Sequence, residues 1–154
     1  MKFSTRQDTD LSNEALFQSI SDFGRIERLL VRRGALVRRT DTLTQTGAGM
    51  GWQVGFDWRG KRRDVTLELA RYEPPGVIGI TGQSDLFLLD LHMTVVALTP
   101  TKSRLIFEVD VQPRGMKARL LLQTAKLGKA QLDRKFALRI AELVNDLAMA
   151  PRQA

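Results

Sequence analysis

The sequence contains no cysteine and a single histidine, His92, among its 154 residues. Without cysteine, the protein can form no disulfide, thiolate nucleophile or cysteine-based metal site. A lone imidazole also argues against a transition-metal site and against a Ser-His relay. We therefore expect the protein to use no metal and no cofactor.

Long apolar runs are missing as well. No stretch approaches the roughly 20 apolar residues needed to cross a bilayer, and the N-terminal MKFSTRQDTDLS lacks the apolar core of a signal peptide. These features predict a cytoplasmic protein. A hydrophobic content of 43% and a charged content of 27% are those of an ordinary globular protein. We expect one domain over residues 1–148 and a flexible tail over 149–154.

The net charge of +7 is concentrated in a few segments. Residues 25–39 hold six arginines against one glutamate, and residues 114–139 hold eight basic residues against one aspartate. Together with the RGKRR turn at 59–63, these segments predict a basic surface that favours anionic partners. The residues expected on this surface include Arg32, Arg33, Lys61, Arg62, Lys126, Arg134 and Lys135.

Apolar periodicity divides the chain into three parts. A short first strand, KFSTRQD, precedes two short helices, the first capped by Ser12 and the second ended by Gly34. From Ala35 the period falls to two, which predicts six more strands in an antiparallel meander. Residues 116–147 have the period of one long amphipathic helix. Gly128 within it predicts a bend or a close backbone approach.

The predicted sheet and long helix should enclose a space. A twisted sheet of seven strands curls away from a helix packed flat on it, so we expect the sheet to wrap around the helix. The enclosed space is either a ligand cavity or a solid core, and we predict a cavity. The residues predicted to line it are Trp52, Val54, Phe56, Trp58, Phe87, Leu89, Leu91, Met93, Phe107, Leu121, Leu132 and Phe136.

This order of elements resembles the helix-grip fold of the START-like, or SRPBCC, superfamily. LFQSISDFGRIERLL at 16–30 resembles the family's helix pair, and GAGMGW at 47–52 resembles the glycine-spaced entry to its third strand. The resemblance implies an α+β fold in which a curved seven-stranded antiparallel sheet wraps around a long C-terminal helix, with two short helices after strand 1. Within the superfamily the chain resembles the bacterial polyketide cyclase/dehydrase-like and lipid-transport proteins, so the resemblance also implies a small hydrophobic ligand.

Two polar side chains are candidates for a role at the predicted cavity. Lys129 falls on the apolar face of the long helix, where it can fix an anionic ligand head or extend past the edge into solvent. His92 can act as a general base, but alternation places it on the face opposite Leu91. We therefore predict binding or carriage of a hydrophobic or amphipathic ligand without catalysis. The enzyme alternative is a cyclase or dehydratase acting on an aromatic or polyketide substrate.

The basic surface leaves several kinds of partner open. Outward leucines beside the basic residues of the last helix suit an anionic membrane surface. A ribosome or another nucleic acid is less favoured, because the basic clusters lack interleaved aromatic residues and no recognition module is evident. A homo-oligomer is the third possibility.

Overall fold

The computed structural model describes residues 1–149 of the chain. The elements follow the order β1 (Lys2–Thr9), α1 (Asn13–Ile20), α2 (Phe23–Arg32), β2 (Leu36–Arg39), β3 (Gly51–Trp58), β4 (Lys61–Glu73), β5 (Val77–Gln83), β6 (Phe87–Thr99), β7 (Lys102–Pro113), α3 (Met116–Lys126) and α4 (Lys129–Met149). The tail predicted over 149–154 begins at the last residue of α4, and residues 150–154 lie outside the described part. The domain boundary at residue 148 stays a prediction.

The seven strands form one antiparallel sheet in the order β1-β7-β6-β5-β4-β3-β2. Strands β2 to β7 pair in chain order, and β1 pairs with β7 at the far edge. Short turns permit this meander: the two residues between β3 and β4, Arg59 and Gly60, both have positive φ. The predicted seven-stranded antiparallel sheet is confirmed.

The helices α1 and α2 are both capped by side chains from their own sequence. Ser12 Oγ accepts a hydrogen bond from the Ala15 N–H at 3.2 Å, and Asp22 Oδ1 accepts one from the Arg25 N–H at 3.2 Å. The buried side of α1, which contacts α4, β6 and β7, comprises Leu16, Phe17 and Ile20. The predicted pair of short helices after the first strand is confirmed, as is the cap at Ser12.

The C-terminal helical segment is divided in two by Leu127 and Gly128. Their N–H groups donate to the carbonyls of Thr124 and Ala125, three residues earlier, which tightens the last turn of α3 instead of extending it. Within residues 1–149, the nearest non-neighbouring atom to a Cβ built at Gly128 is the Ala125 carbonyl oxygen at 4.0 Å. Gly128 therefore marks a break and no close approach. The single helix predicted over residues 116–147 is therefore two helices, α3 and the longer α4 of 21 residues.

The tightest packing lies under α1 and the C-terminal half of α4. There the two helices cover the inward faces of β4 to β7, and burial of this apolar surface is the main stabilising contribution. We call this region the closed end of the sheet. Its buried residues include Leu16, Leu69, Ile78, Leu105, Ile140 and Val144.

Trp52 is held at the start of β3 by a network that joins three elements. Its indole Nε1 donates to Glu27 Oε1 at 2.6 Å, and its ring centre lies 5.2 Å from that of Phe23. The guanidinium of Arg39 lies 5.6 Å from the Trp52 ring centre and is paired with Asp41 at 2.5 Å. The network ties α2 to β2 and β3.

Asp41 also organises the connection between β2 and β3. Besides the guanidinium of Arg39, its carboxylate binds the backbone N–H groups of Gly51, at 2.8 Å, and Leu43, at 2.9 Å. The hydrogen bonds from Arg39, followed by the one from Gly51, hold the pKa of Asp41 well below its usual range. The folded protein therefore favours the ionised form of this carboxyl group.

Replacing Asp41 with asparagine (Asp41→Asn) should lower the thermal midpoint by a few degrees at neutral pH, because an amide nitrogen cannot accept from Arg39. Since the folded pKa is depressed, the contribution of this carboxylate is fully present above the ordinary value of about 3.9 and is lost as the pH falls below it. Circular dichroism melts should therefore converge for the two proteins in acid. Asp10→Asn, at an exposed carboxylate, is the control and should change the thermal midpoint little. A difference in midpoint between the wild-type protein and Asp41→Asn that stays the same at every pH would contradict this role of Asp41.

Candidate functional site

The inward face of the sheet is made of rows of side chains that lie next to each other on neighbouring strands. In the row of Ile78, Met93 and Phe107, every side chain is buried. Closer to the β3–β4 turn, Leu67 and Leu89 share a row and are only half-buried, while Trp52 in the same row on β3 is buried against α2. Burial thus falls along the strands from the closed end to the opposite end, which we call the open end.

The inward side chains at the open end are apolar although they keep contact with solvent. Apolar residues on the concave face of a sheet are stabilised when other residues cover them. Cover is complete only at the closed end, and Val54, Leu67, Ile80, Leu91 and Val109 pack against the core there while part of each side chain stays exposed. The half-buried inward residues are therefore only partly covered by the protein itself. They include Val54, Phe56, Val65, Leu67, Ile80, Phe87, Leu89, Leu91 and Val109.

A groove of about 350 Å³ lies at the open end, between the end of α2 and β3. Its lining is mostly apolar and comprises Leu30, Arg33, Gly34, Ala35, Val54, Phe56 and Asp57. Both charged residues have partners outside the groove: Arg33 is 3.5 Å from Asp146, and Asp57 is 3.8 Å from Arg62. The groove therefore offers an apolar surface with paired charges at its rim.

The structure brings most of the predicted cavity residues to the inward face. Those at the open end are Val54, Phe56, Phe87, Leu89 and Leu91. On α4, Leu132 and Phe136 are half-buried, and the Phe136 ring lies 5.7 Å from that of Phe3. Met93 and Phe107 are buried in the closed end, where they fill the core and leave no space.

The two tryptophans do not share one cavity, contrary to the prediction from alternation. Trp52 is buried against α2 in the network described above. Trp58 is 49% exposed, and its ring centre lies 4.6 Å from the guanidinium of Arg59 and 5.7 Å from that of Arg63. By alternation along β3, Trp58 is on the inward side of the sheet, like Trp52, which is what we mean by inward parity. It is, however, the last residue of β3 and lies beyond the part of the sheet that the helices cover.

The two predicted polar candidates differ in position: Lys129 lies beside Phe3, which is opposite Val109 in an inward row, and His92 lies on the outer face. The Lys129 ammonium is 2.7 Å from Asp133 and 5.0 Å from the ring centre of Phe3, so it already has a partner. Its role as a ligand anchor stays a prediction. His92 has outward parity and lies opposite Glu108 on β7, as expected from the alternation in β6.

Arg63 is a polar residue at the open end that the sequence analysis missed. It alternates with Val65, Leu67 and Leu69 on the inward side of β4 and lies opposite Phe56 on β3. Among residues 1–149, its buried Nε finds no hydrogen-bond partner. The signal was present in RGKRRDVTLEL, where the apolar alternation extends back to the third of the clustered basic residues. A cluster of charge at a turn by itself predicts only solvated surface.

The predicted basic surface is exposed at each of its named positions: Arg32, Arg33, Lys61, Arg62, Lys126, Arg134 and Lys135. Helix α3 adds an apolar component. Leu121 is 42% exposed and does not line the interior as predicted, because α3 turns Ala118 toward the protein. Together with Leu121, the exposed apolar side chains of this helix and its end are Met116, Leu120 and Leu127.

No protein-family model and no curated protein matches the sequence. The fold, however, is similar to solved structures. The Zhui aromatase/cyclase from Streptomyces sp. R1128 has a TM-score of 0.68 at 11% identity, over 96% of this chain and 93% of that one. A truncated norcoclaurine synthase from Thalictrum flavum has a TM-score of 0.70 at 9% identity, over 99% of this chain and 95% of that one. A START superfamily protein from Mycobacterium smegmatis has a TM-score of 0.60 at 14% identity, over 92% of this chain and 98% of that one. The chain has a START/SRPBCC-like helix-grip fold.

The two ends of the sheet should respond differently to truncation. Leu105→Ala at the closed end should lower the free energy of unfolding by about 3 kcal/mol, because it leaves a sealed cavity. Leu91→Ala at the open end should lower it by roughly 1 to 2 kcal/mol, because the side chain is only half-buried and loses less covered apolar surface. Urea titrations of the ligand-free proteins measure both values. Equal losses would mean that the open end is packed as solidly as the core.

Proposed function

We propose that the protein binds or carries a small hydrophobic or amphipathic molecule in the space at the open end, without transforming it. The observation that carries this proposal is the set of half-buried apolar side chains on the inward face, which a ligand would cover. The similarity in fold to START-like proteins supports it. The size is compatible too, since the groove of about 350 Å³ falls within the range of small-molecule pockets.

The positions of the candidate catalytic groups favour binding over catalysis. A general base must reach the proton that it removes, and His92 has outward parity on β6. The carboxylate at the groove, Asp57, is 78% exposed and near Arg62. Neither group lies on the apolar inward rows, so the cyclase or dehydratase alternative gains no specific support.

Helix α3 suggests where the ligand would enter and leave. Between Asp110 and Asp133 the chain carries five basic residues and no acidic residue. These charges accompany the exposed apolar side chains of α3, which begins where β7 ends, at the open end. No helix within residues 1–149 combines the length and the hydropathy needed to cross a bilayer. We propose that α3 docks on an anionic membrane surface; the cytoplasmic location and the oligomeric state stay predictions.

Filling the open end should prevent ligand uptake. Leu91→Trp places a larger side chain in the unfilled space and should weaken binding of the fluorescent apolar probe N-phenyl-1-naphthylamine by about tenfold or more, a loss of at least about 1.4 kcal/mol. The matched control is Leu88→Trp on the same strand, where the native leucine is 44% exposed on the outer face.

Fluorescence titration gives the probe affinity, and native mass spectrometry gives its stoichiometry. A wild-type protein that binds the probe one to one, with Leu88→Trp unchanged, supports the proposal. Uptake that survives Leu91→Trp, or a wild-type protein that binds no probe, would show that the inward residues form a core and not a binding site.

Membrane docking should depend on the apolar side chains of α3 and on charge. Leu120→Gln combined with Leu127→Gln should reduce co-sedimentation with vesicles of phosphatidylcholine and phosphatidylglycerol, because both leucines are exposed there. Added salt should reduce it further, since it screens the attraction between basic residues and anionic lipid. The control pair is Val96→Gln with Leu98→Gln, exposed at the end of β6. Binding that is insensitive to salt, or lost equally in the control, would refute docking through α3.

A further inference from the structure

Two arginines lie on the inward face of the sheet in different surroundings. Arg39 on β2 is next to Trp52 and is neutralised by Asp41 at 2.5 Å. Arg63 on β4 is opposite Phe56 and has no ion pair among the described residues. Its Nε is buried and lacks an acceptor there. Arg39 therefore has a structural partner, whereas Arg63 has no counter-charge among the described residues.

The carboxylates of the β3–β4 hairpin, Asp57 and Asp64, form no ion pair with Arg63. Asp64 follows it directly and so lies on the outer face, where it is exposed. Asp57 is near Arg62, the outward neighbour of Arg63. A buried guanidinium N–H without an acceptor destabilises a fold, and buried polar groups are normally satisfied. A group that approaches from the open end would supply the missing acceptor.

We propose that Arg63 binds the anionic group of an amphipathic ligand whose apolar part lies in the space at the open end. The inference rests on the proposed function and names its ligand class: a carboxylate, sulfonate or phosphate on an aromatic or aliphatic body. A planar guanidinium suits such oxyanions because it can donate two parallel hydrogen bonds.

The cross-strand register gives the direction of the bound molecule. Phe56 lies directly opposite Arg63, and Val54 and Val65 form the next inward pair toward the closed end. A ligand with its anion at Arg63 therefore covers these half-buried side chains with its apolar part. On the side of Arg63 that faces the β3–β4 turn, the Trp58 ring centre lies 5.7 Å from the guanidinium carbon. This contact restricts the conformation of the Arg63 side chain.

The charge around the turn favours the same ligand class. Arg59, Lys61 and Arg62 are exposed within a few residues of Arg63, and Arg33 lines the groove. Together with Arg63, these residues outnumber the nearby Asp57 and Asp64, and a local excess of positive charge attracts anionic ligands and raises their rate of association. These exposed charges act at a distance, whereas Arg63 would contact the bound anion.

A pair of probes that differ by one anionic group tests the inference. N-phenyl-1-naphthylamine is neutral, and 8-anilino-1-naphthalenesulfonate carries the same aromatic body with a sulfonate. Arg63→Gln should weaken sulfonate binding by about tenfold and neutral binding by less than about twofold, because only the sulfonate uses the guanidinium. Arg63→Lys should keep part of the sulfonate affinity. Arg62→Gln, one residue away on the outer face, is the matched control and should change neither affinity appreciably.

The outcomes separate this inference from the proposed function. Selective loss of sulfonate affinity in Arg63→Gln, with Arg62→Gln unchanged and thermal midpoints preserved, supports the role of Arg63. If both probes bind but Arg63→Gln weakens them equally, or if Arg62→Gln has the same effect as Arg63→Gln, the anchor is refuted while the cavity remains. If the neutral probe does not bind the wild-type protein, the proposed function fails and the inference fails with it. A folding defect in Arg63→Gln would be identified by its melt, and Arg63→Lys then gives the decisive comparison.

Discussion

The packing of the C-terminal helices against a sheet longer than the cover they provide is the constraint on which the rest of the structure depends. Strands β4 and β6 have 13 residues each, so each spans roughly 43 Å at about 3.3 Å per residue. Helix α4 has 21 residues, about 32 Å at about 1.5 Å per residue, and only its C-terminal half shares the closed end with α1. The inward face at the other end is consequently left half-covered, and the candidate site follows from this mismatch.

The break at Leu127 and Gly128 affects both the cover of the open end and the outer surface of the protein. One continuous helix would keep a fixed apolar stripe toward the sheet, as the periodicity of residues 116–147 predicts. Tightened hydrogen bonds at the junction end α3 instead, and Leu120 and Leu121 are left exposed beside basic residues. The same local event therefore leaves the open end without its full cover and places an amphipathic cationic helix next to it. Ligand exchange and membrane docking would share one element.

Much of the fold could be predicted from the sequence because its signals are local. The change of apolar period at Ala35 marks the start of the meander, and the hydroxyl of Ser12 caps α1 as its position indicates. The site was harder to predict because it depends on how far cover extends along a strand, which periodicity does not contain. Alternation correctly gives Trp52 and Trp58 the same parity, yet one is buried by α2 and the other lies past the last covered row.

Arg63 shows a second limit of reasoning from composition. Within RGKRR all the basic residues look alike, and a cluster at a turn is usually solvated. The register separates them: Arg62 has outward parity near Asp57, and Arg63 has inward parity opposite Phe56. Arg39 has the same parity as Arg63 and is stabilised by a carboxylate two residues away. The fold thus already shows how it satisfies an inward arginine when the partner is internal, and the Nε of Arg63, which has no acceptor among residues 1–149, is the group that the proposed ligand would satisfy.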